Sequence, residues 1–456
     1  MAGKNETDLG SKPIGSLLVS LAVPTITAQI VNMLYNIVDR IYIGRGVSRL
    51  ALTGVGVTFP ILILISAFSS LIGMGGAPRA SIRMGRQDNK GAEEILGSCF
   101  VTLLCISLVL TVLFRTFSEP LLMMFGASQD TLPYGLAYIN IYVLGTVFVQ
   151  LSLGLNAFIT AQGHSRYSMT TILIGAVANI ILDPIFIFGL KMGVHGAALA
   201  SVLSQALATS WVLRFLHGRV TSLRLRREYL RISPRIILPV LALGISPFIM
   251  QSTESLINIV FNRSLQRYGG DTAVGSMTIL TSVMQLIMMP VSGLAQGAQP
   301  IISYNYGAQK LDRVKKAFRL LLCSALCYTV FFWLIAQFFP EMIVSIFNSE
   351  PQLLETASWA LRIYLGAAFM LGAQMACQQT FVALGQAKYS LFLALLRKIF
   401  LLLPLIWLLP KLIADQVFAV FLAEPVADLL ATLTTLTIFL HQFPKLLAEN
   451  QKGTGS

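Results

Sequence analysis

Two polar residues interrupt the long apolar stretch at 167–190, and their spacing suits cation or proton chemistry. Asn179 and Asp183 are four residues apart, which places them on one face of a helix. Pro184 follows; because proline has no N–H, it leaves a carbonyl one turn back, near Ile180, without its helical partner. Carboxylate, amide and carbonyl oxygens suit a small hard cation, and the same groups can relay a proton. Ser201, in the next apolar segment, offers a hydroxyl oxygen.

A polar stripe runs along the first apolar stretch, 14–43. Its members recur at helical spacing and share one face: Gln29, Asn32, Tyr35, Asn36 and Asp39. An ionisable side chain in hydrocarbon is expensive and by default a functional candidate. We predict a cation- or proton-coupling site of four residues: Asp39, Asn179, Asp183 and Ser201. The predicted Na⁺ ligands are Asp39, Asn179 and Asp183. The alternative is that Asp39 pairs with the adjacent Arg40 and that Asp183 only caps a helix break.

A second polar stripe lies in the apolar segment 236–265, where Gln251, Glu254 and Asn258 are three and four residues apart. A glutamate in this setting can hold a proton or face a cationic substrate, or it can be a hydrogen-bonded structural carboxyl. We predict that the two stripes, in segments 14–43 and 236–265, together supply the second acidic group and the lining of a substrate cavity. These candidates are Glu254, Asn32, Asn36, Gln251 and Asn258.

Other charged residues also lie within apolar segments. They comprise three cations and two acids one turn apart: Arg362, Arg397, Lys398, Glu424 and Asp428. Internal ion pairs that hold this half of the chain together are the favoured interpretation, and a transport role is the alternative.

The composition is that of an integral membrane protein. Hydrophobic residues make up 55% of the 456 residues and charged residues 12%, against about 25% charged in soluble proteins. The net charge of +13 does not indicate nucleic-acid binding, because the basic residues lie in alternate loops. The sequence has no Walker A motif, nucleophile elbow or histidine cluster. We therefore expect neither an enzyme nor an ATP motor, no cofactor, and coupling to an ion gradient.

Twelve membrane helices are predicted near 14–43, 50–78, 92–115, 132–158, 167–190, 193–216, 236–265, 272–300, 314–339, 354–382, 389–410 and 413–441. Lysine and arginine total 22 on the side that carries both termini and 8 on the other, which indicates cytoplasmic termini in the cell membrane. The predicted domains are an N-lobe (1–216), a basic cytoplasmic linker (217–235), a C-lobe (236–441) and a cytoplasmic tail (442–456).

The two halves are an internal repeat. At a constant offset of 222 residues, Gly75, Pro78 and Gln87 recur as Gly297, Pro300 and Gln309, and the same offset relates further glycine, asparagine and tyrosine positions. Because each half has an even number of helices, the halves enter the membrane in the same orientation and are related by an axis along its normal. We predict an all-α membrane protein of two six-helix lobes, with a substrate pathway between lobes that rock to alternate its exposure.

Several motifs resemble the multidrug and toxic compound extrusion (MATE) family. They are YNIVDRIYIG at 35–44, GMGGAPRASIRMGR at 73–86, NIILDPIFIFG at 179–189, GVHGAALAS at 193–201 and QGAQPIISYNYGA at 296–308. The resemblance implies a V-shaped antiporter that exports amphiphilic, cationic organic compounds in exchange for H⁺ or Na⁺. It makes Asp39, Asn179, Asp183 and Ser201 the N-lobe ion site. Glu254 resembles the acid of the seventh helix in another branch, which also has an aspartate in the tenth helix where this sequence reads LGAQMACQQ.

Two other functional classes are weighed against this interpretation. A lipid-linked oligosaccharide flippase of the wider superfamily has similar lobes, but it is expected to line its cavity with basic residues. A membrane enzyme or a passive scaffold is disfavoured by the missing catalytic motifs and by the buried Asp183. The expected partners are organic cations and the lipid bilayer, and the expected state is a monomer.

Overall fold

The computed structural model describes residues 8–348 and 350–452, and it is helical throughout, with no β-strand in these ranges. Its membrane-crossing helices, here α1–α12, are Ile14–Gly46, Arg49–Gly85, Asn89–Met124, Leu132–Ala161, Ser165–Gly189, Gly193–His217, 234–269, 271–307, Leu311–Phe338, Pro351–Ala383 with a break, Ala387–Leu412 and Gln416–Lys452. The first residues of the predicted N-lobe (1–7) and the last of the predicted tail (453–456) lie outside the described ranges.

The count of twelve depends on two breaks. Ten helices are long and apolar enough to cross a bilayer, and Pro351–Tyr364 with Ala368–Ala383 forms another crossing bent by 46°. The 74-residue stretch Pro234–Gly307 is two crossings, because Gly270 takes a φ of +63° that ends the first helix. Unbroken, it would measure about 110 Å, against a hydrocarbon core of about 30 Å. The all-α fold of twelve crossings predicted from the sequence is therefore confirmed within the described residues.

Several helices extend beyond their predicted ends. The second was expected to end at residue 78 but continues to Gly85, and the third begins at Asn89 rather than at 92. Asp88 caps α3, since its Oδ1 accepts a 2.9 Å hydrogen bond from the Gly91 amide. Hydropathy marks where a helix leaves the hydrocarbon, whereas the caps decide where the helix ends.

The internal repeat is also visible in the backbone. Gln87 and Gln309, which are 222 residues apart, take φ of 61° and 58° in the turns after α2 and α8. Gly163 and Gly385 form a second matched pair, with φ of 86° and 74°. Non-glycine residues rarely adopt positive φ. Two turns at equivalent positions share this rare conformation, which indicates that the two lobes arose by duplication of one unit.

The basic linker packs on the N-lobe. Oε1 of Gln162 accepts hydrogen bonds from the Thr221 hydroxyl at 2.8 Å and from the Leu223 amide at 3.1 Å, and Leu223 is fully buried. Arg226 pairs with Glu93 on α3 at 2.8 Å. We call the side of the molecule that carries this segment the linker side.

The segment predicted as a tail continues α12 to residue 452. Asn450 donates a 2.8 Å hydrogen bond to the carbonyl of Tyr306 near the end of α8, and Leu447 is buried.

The two lobes meet in their linker-side halves. Glycine allows close approach there: a Cβ on Gly244 of α7 would collide with the Leu71 carbonyl of α2, and one on Gly297 of α8 would lie 2.6 Å from Cα of Ala22 on α1. The linker-side core includes buried residues of both lobes, whereas the cores near the other side each belong to a single lobe. The lobes thus join on the linker side and diverge away from it, which is the predicted V shape.

Candidate functional site

The four residues of the predicted coupling site come together inside the N-lobe. Asn179 Nδ2 lies 3.4 Å from Asp183 Oδ1 and 3.5 Å from Ser201 Oγ. The carboxyl group of Asp39, on α1, lies close to that of Asp183. Asp183 is fully buried and Asn179 is 3% exposed. Helices α1, α5 and α6 therefore each supply polar side chains to one site.

Oxygen atoms at this site lack partners. Within the described chain, Asp39 Oδ1, Asn179 Oδ1 and Asp183 Oδ2 are buried and accept no hydrogen bond. A buried unsatisfied acceptor is costly, and two carboxylates close to each other repel when both are ionised. The arrangement therefore suits one cation or one proton shared by the two carboxyl groups.

Proline chemistry explains the local shape of α5. Directly after Pro184, residues Ile185–Gly189 form a π-helical turn that ends the helix. Such turns are common at functional sites because they displace side chains from the regular helical register. Here the turn begins two residues after Asp183.

Arg40 does not pair with Asp39. Its guanidinium stacks over the Phe59 ring, 4.2 Å from the centroid, because adjacent residues on a helix point in different directions. The alternative in which a neighbouring arginine neutralises Asp39 is therefore not what the structure shows.

Three tyrosines lie near Asp39, and none of them was among the predicted site residues, although Tyr35 belongs to the polar stripe of α1. Tyr35 precedes it by one turn on α1, and Tyr138 and Tyr142 come from α4. The Tyr138 hydroxyl lies 3.4 Å from Ser201 Oγ, and the Tyr138 ring stacks on Tyr142 at 5.8 Å. The sequence feature that could have identified Tyr138 and Tyr142 is their four-residue spacing in a largely apolar helix.

The predicted cavity residues do not form one cluster. Gln251 Nε2 donates a 2.8 Å hydrogen bond to Ser70 Oγ on α2, so it bridges the two lobes. Asn36 Nδ2 donates to the Asn32 carbonyl at 2.6 Å within α1. Asn32 and Asn258 are exposed.

Glu254 belongs to an ion pair. Its Oε2 lies 2.9 Å from Nζ of Lys398, and its side chain is 54% exposed, whereas that of Lys398 is 8% exposed. The structure therefore differs from the expectation of a buried second-lobe acid, since the buried member of this pair is the lysine.

The internal ion pairs expected in the C-lobe are centred on Arg397. Its Nε lies 2.7 Å from Asp428 Oδ1, and its Nη2 lies 3.6 Å from Glu424 Oε1. Arg397 and Lys398 lie in the π-helical segment Leu396–Leu402 of α11. Arg362 is exposed and forms no ion pair with the described residues.

No group of three or more His, Cys, Asp and Glu residues that could hold a metal is present in the described part of the chain. The N-lobe site has two carboxylates, with an amide and a hydroxyl beside them. Such oxygen ligands suit Na⁺ or H⁺ and do not suit Zn²⁺, which prefers nitrogen and sulfur ligands.

Comparison with known proteins agrees with this architecture. The MatE family profile matches residues 24–185 and again 247–408, so each lobe contains one copy. Among curated proteins, the chain is 26% identical over 421 residues to the multidrug export protein MepA of Staphylococcus haemolyticus, covering 91% of each protein.

Solved structures show the same fold. A crystal structure of MATE in the bent conformation superposes with a TM-score of 0.92 at 20% identity, covering 98% of this chain and 99% of that one. The MATE multidrug transporter DinF-BH is 32% identical with a TM-score of 0.88, covering 96% and 98% of the two chains. With both repeats matched, this chain belongs to the MatE family of multi-pass membrane proteins, which are multidrug efflux transporters.

Proposed function

We propose that this protein is a secondary antiporter that exports amphiphilic organic cations in exchange for H⁺ or Na⁺. The observation that carries the proposal is the closeness of Asp39 to Asp183, because each has one buried carboxyl oxygen without a hydrogen-bond partner. A site with an unsatisfied negative charge in hydrocarbon takes up a cation and releases it only when its surroundings change. An ion gradient can then supply energy for the movement of another solute.

The geometry suggests how coupling works. The lobes join on the linker side, and the 22-to-8 excess of basic residues supports a cytoplasmic location for that side. In the proposed cycle the described state opens away from the cytoplasm, where the coupling ion enters the N-lobe site. Rocking of the lobes about the α1–α8 and α2–α7 contacts then exposes the site and the substrate pathway to the other side.

The same charge distribution supports a location in the cell membrane with both termini in the cytoplasm. We further propose that the protein is a monomer, that its substrates are organic cations and that it needs no cofactor. The closeness of the two carboxyl groups favours a shared proton, whereas the amide and hydroxyl beside them supply the further oxygens that Na⁺ needs.

The flippase alternative gains no support from Arg397 and Lys398. Arg397 is neutralised by Asp428 and Glu424, and Lys398 is neutralised by Glu254. A cavity that binds pyrophosphate needs cations that are not already paired.

Transport in proteoliposomes tests the proposal. An ethidium-like dye is supplied while a pH gradient and a Na⁺ gradient are imposed separately. At least one gradient is expected to drive dye against its concentration difference. If neither gradient moves the dye, the antiport proposal fails.

A further inference from the structure

A groove opens on the linker side of the C-lobe, between the start of α11 and the end of α12. Its volume is about 500 Å³. It is separate from the N-lobe ion site and from the Arg397 network. Its lining residues are Lys388, Tyr389, Phe392, Thr437, Ile438, His441, Gln442 and Lys445.

The groove is lined by two lysines and a histidine, and no aspartate or glutamate is among its lining residues. Lys388 and Lys445 are exposed, and neither forms an ion pair with the described residues. His441 Nδ1 is 3.1 Å from the Thr437 carbonyl, which leaves Nε2 available to another partner. Glu449 lies one turn beyond Lys445, outside the lining, and no salt bridge joins them. The groove thus presents two unpaired ammonium groups.

Polarity changes along the groove. Phe392 lies one turn further into α11 than Lys388, and Ile438 lies two turns further into α12 than Lys445. The lysines therefore sit toward the helix ends on the linker side, and the apolar residues sit toward the bilayer centre. A phospholipid has the same order, with a phosphate at the interface and acyl chains below it.

Aromatic packing gives the groove a fixed wall. Tyr389 stacks on Phe381 at 5.1 Å, and Phe439 stacks on Phe443 at 4.7 Å directly behind the lining residues. Residues packed in this way leave the groove formed before a ligand arrives, which reduces the entropy lost on binding.

The equivalent place in the other lobe has a different set of aromatic contacts. Tyr167 is the repeat counterpart of Tyr389. It stacks on Trp211 at 6.3 Å and packs on Phe215 at 5.0 Å. The aromatic contacts at this position therefore differ between the two lobes.

We propose that this groove binds one anionic phospholipid. Its phosphate contacts Lys388, Lys445 and His441, and an acyl chain lies along Phe392 and Ile438. Charge complementarity identifies the occupant as anionic, and the apolar depth distinguishes a lipid from a free anion. The proposal is independent of antiport.

Native mass spectrometry of the purified protein tests it, with dioleoyl phosphatidylglycerol and dioleoyl phosphatidylcholine as probes. The wild type is expected to retain one phosphatidylglycerol in preference to phosphatidylcholine. Lys388→Ala/Lys445→Ala is expected to weaken that preference by about tenfold or more. The matched control is Lys315→Ala/Lys316→Ala, which removes the same charge from exposed sites on α9 and is expected to keep the preference.

Thr437→Trp separates a lipid from a free anion, because it fills the apolar part of the groove and leaves every cation in place. Loss of phosphatidylglycerol binding in this variant supports the proposal. Two results overturn it: equal loss in the Lys315/Lys316 control, or displacement of the lipid by millimolar inorganic phosphate with no effect of Thr437→Trp. The second result would identify a simple anion site.

Discussion

Lys398 Nζ and Glu254 Oε2 lie 2.9 Å apart and join α11 to α7 across the C-lobe, with the lysine buried and the glutamate half exposed. Removing one partner therefore leaves the other charge unpaired in a different environment in each case. Removal of Lys398 leaves a carboxylate that water can solvate. Removal of Glu254 leaves a buried ammonium beside the already paired Arg397.

We predict that Glu254→Gln destabilises the protein more than Lys398→Met does. A buried charge left without its partner costs about 1–3 kcal/mol, whereas a half-exposed one costs less than about 1 kcal/mol. Thermal unfolding of the detergent-solubilised variants, followed by size-exclusion chromatography, measures the difference. The double variant is expected to recover part of the loss. Equal melting temperatures for the two single variants would contradict this interpretation of the pair.

Asp183→Asn is expected to abolish coupled export and to leave membrane insertion and folding intact. The amide preserves the shape of the side chain but removes the charge that a cation or proton would neutralise. Dye export in everted vesicles measures the effect, with expression level and melting temperature as folding controls. Asp130→Asn, at an exposed acid outside the site, is the matched control. Wild-type export by Asp183→Asn would remove Asp183 from the mechanism.

Ser201→Ala distinguishes the two coupling ions. If the carboxyl pair shares a proton, loss of one hydroxyl at 3.5 Å from Asn179 should change transport by less than about threefold. If Na⁺ is bound, loss of an oxygen near the ion should raise the Na⁺ concentration needed for half-maximal export by about tenfold or more. The closeness of Asp39 to Asp183 leads us to expect the smaller effect. Export measured against Na⁺ concentration at fixed pH decides between them.

A short helical turn at the N-terminal end of the described chain, Asp8–Ser11, joins the two lobes on the linker side. Leu9 is 2% exposed and lies against Gly163 of the N-lobe, while its carbonyl accepts hydrogen bonds from Asn305 Nδ2 at 3.0 Å and Arg313 Nη2 at 3.1 Å in the C-lobe. Leu9→Ala is expected to weaken this closed state by about 2–3 kcal/mol, since a buried leucine side chain is lost from a contact between lobes. The population with separated linker-side ends should rise.

Spin labels at Arg166→Cys and Lys388→Cys report that separation. The two sites are repeat counterparts, one on each lobe, and both are exposed. The exposed native cysteines are first replaced by alanine: Cys105, Cys323 and Cys327. Val19→Ala, at an exposed position of α1, is the control. An unchanged distance distribution in Leu9→Ala would show that the N-terminal turn does not hold the lobes together.

Part of the site could be predicted from the sequence, because polar residues are rare in membrane-spanning segments and are therefore easily recognised. Asp39, Asn179, Asp183 and Ser201 stand out in apolar segments, and the structure brings all four together. Tyr138 did not stand out, since a tyrosine in an apolar helix is ordinary until its hydroxyl is found beside Ser201. Glu254 illustrates the opposite case, because its spacing gave no indication that Lys398, 144 residues away, would neutralise it.

The sequence by itself determined the number of crossings, the duplication and the family, because hydropathy and repeated motifs are local properties of the chain. Only the tertiary structure decided which charges are paired and where the lobes touch. Ion pairing depends on distances between helices far apart in sequence, such as Arg397 to Asp428. Closure on the linker side depends on glycine contacts such as that of Gly244 with Leu71, and no single segment encodes both partners of such a contact.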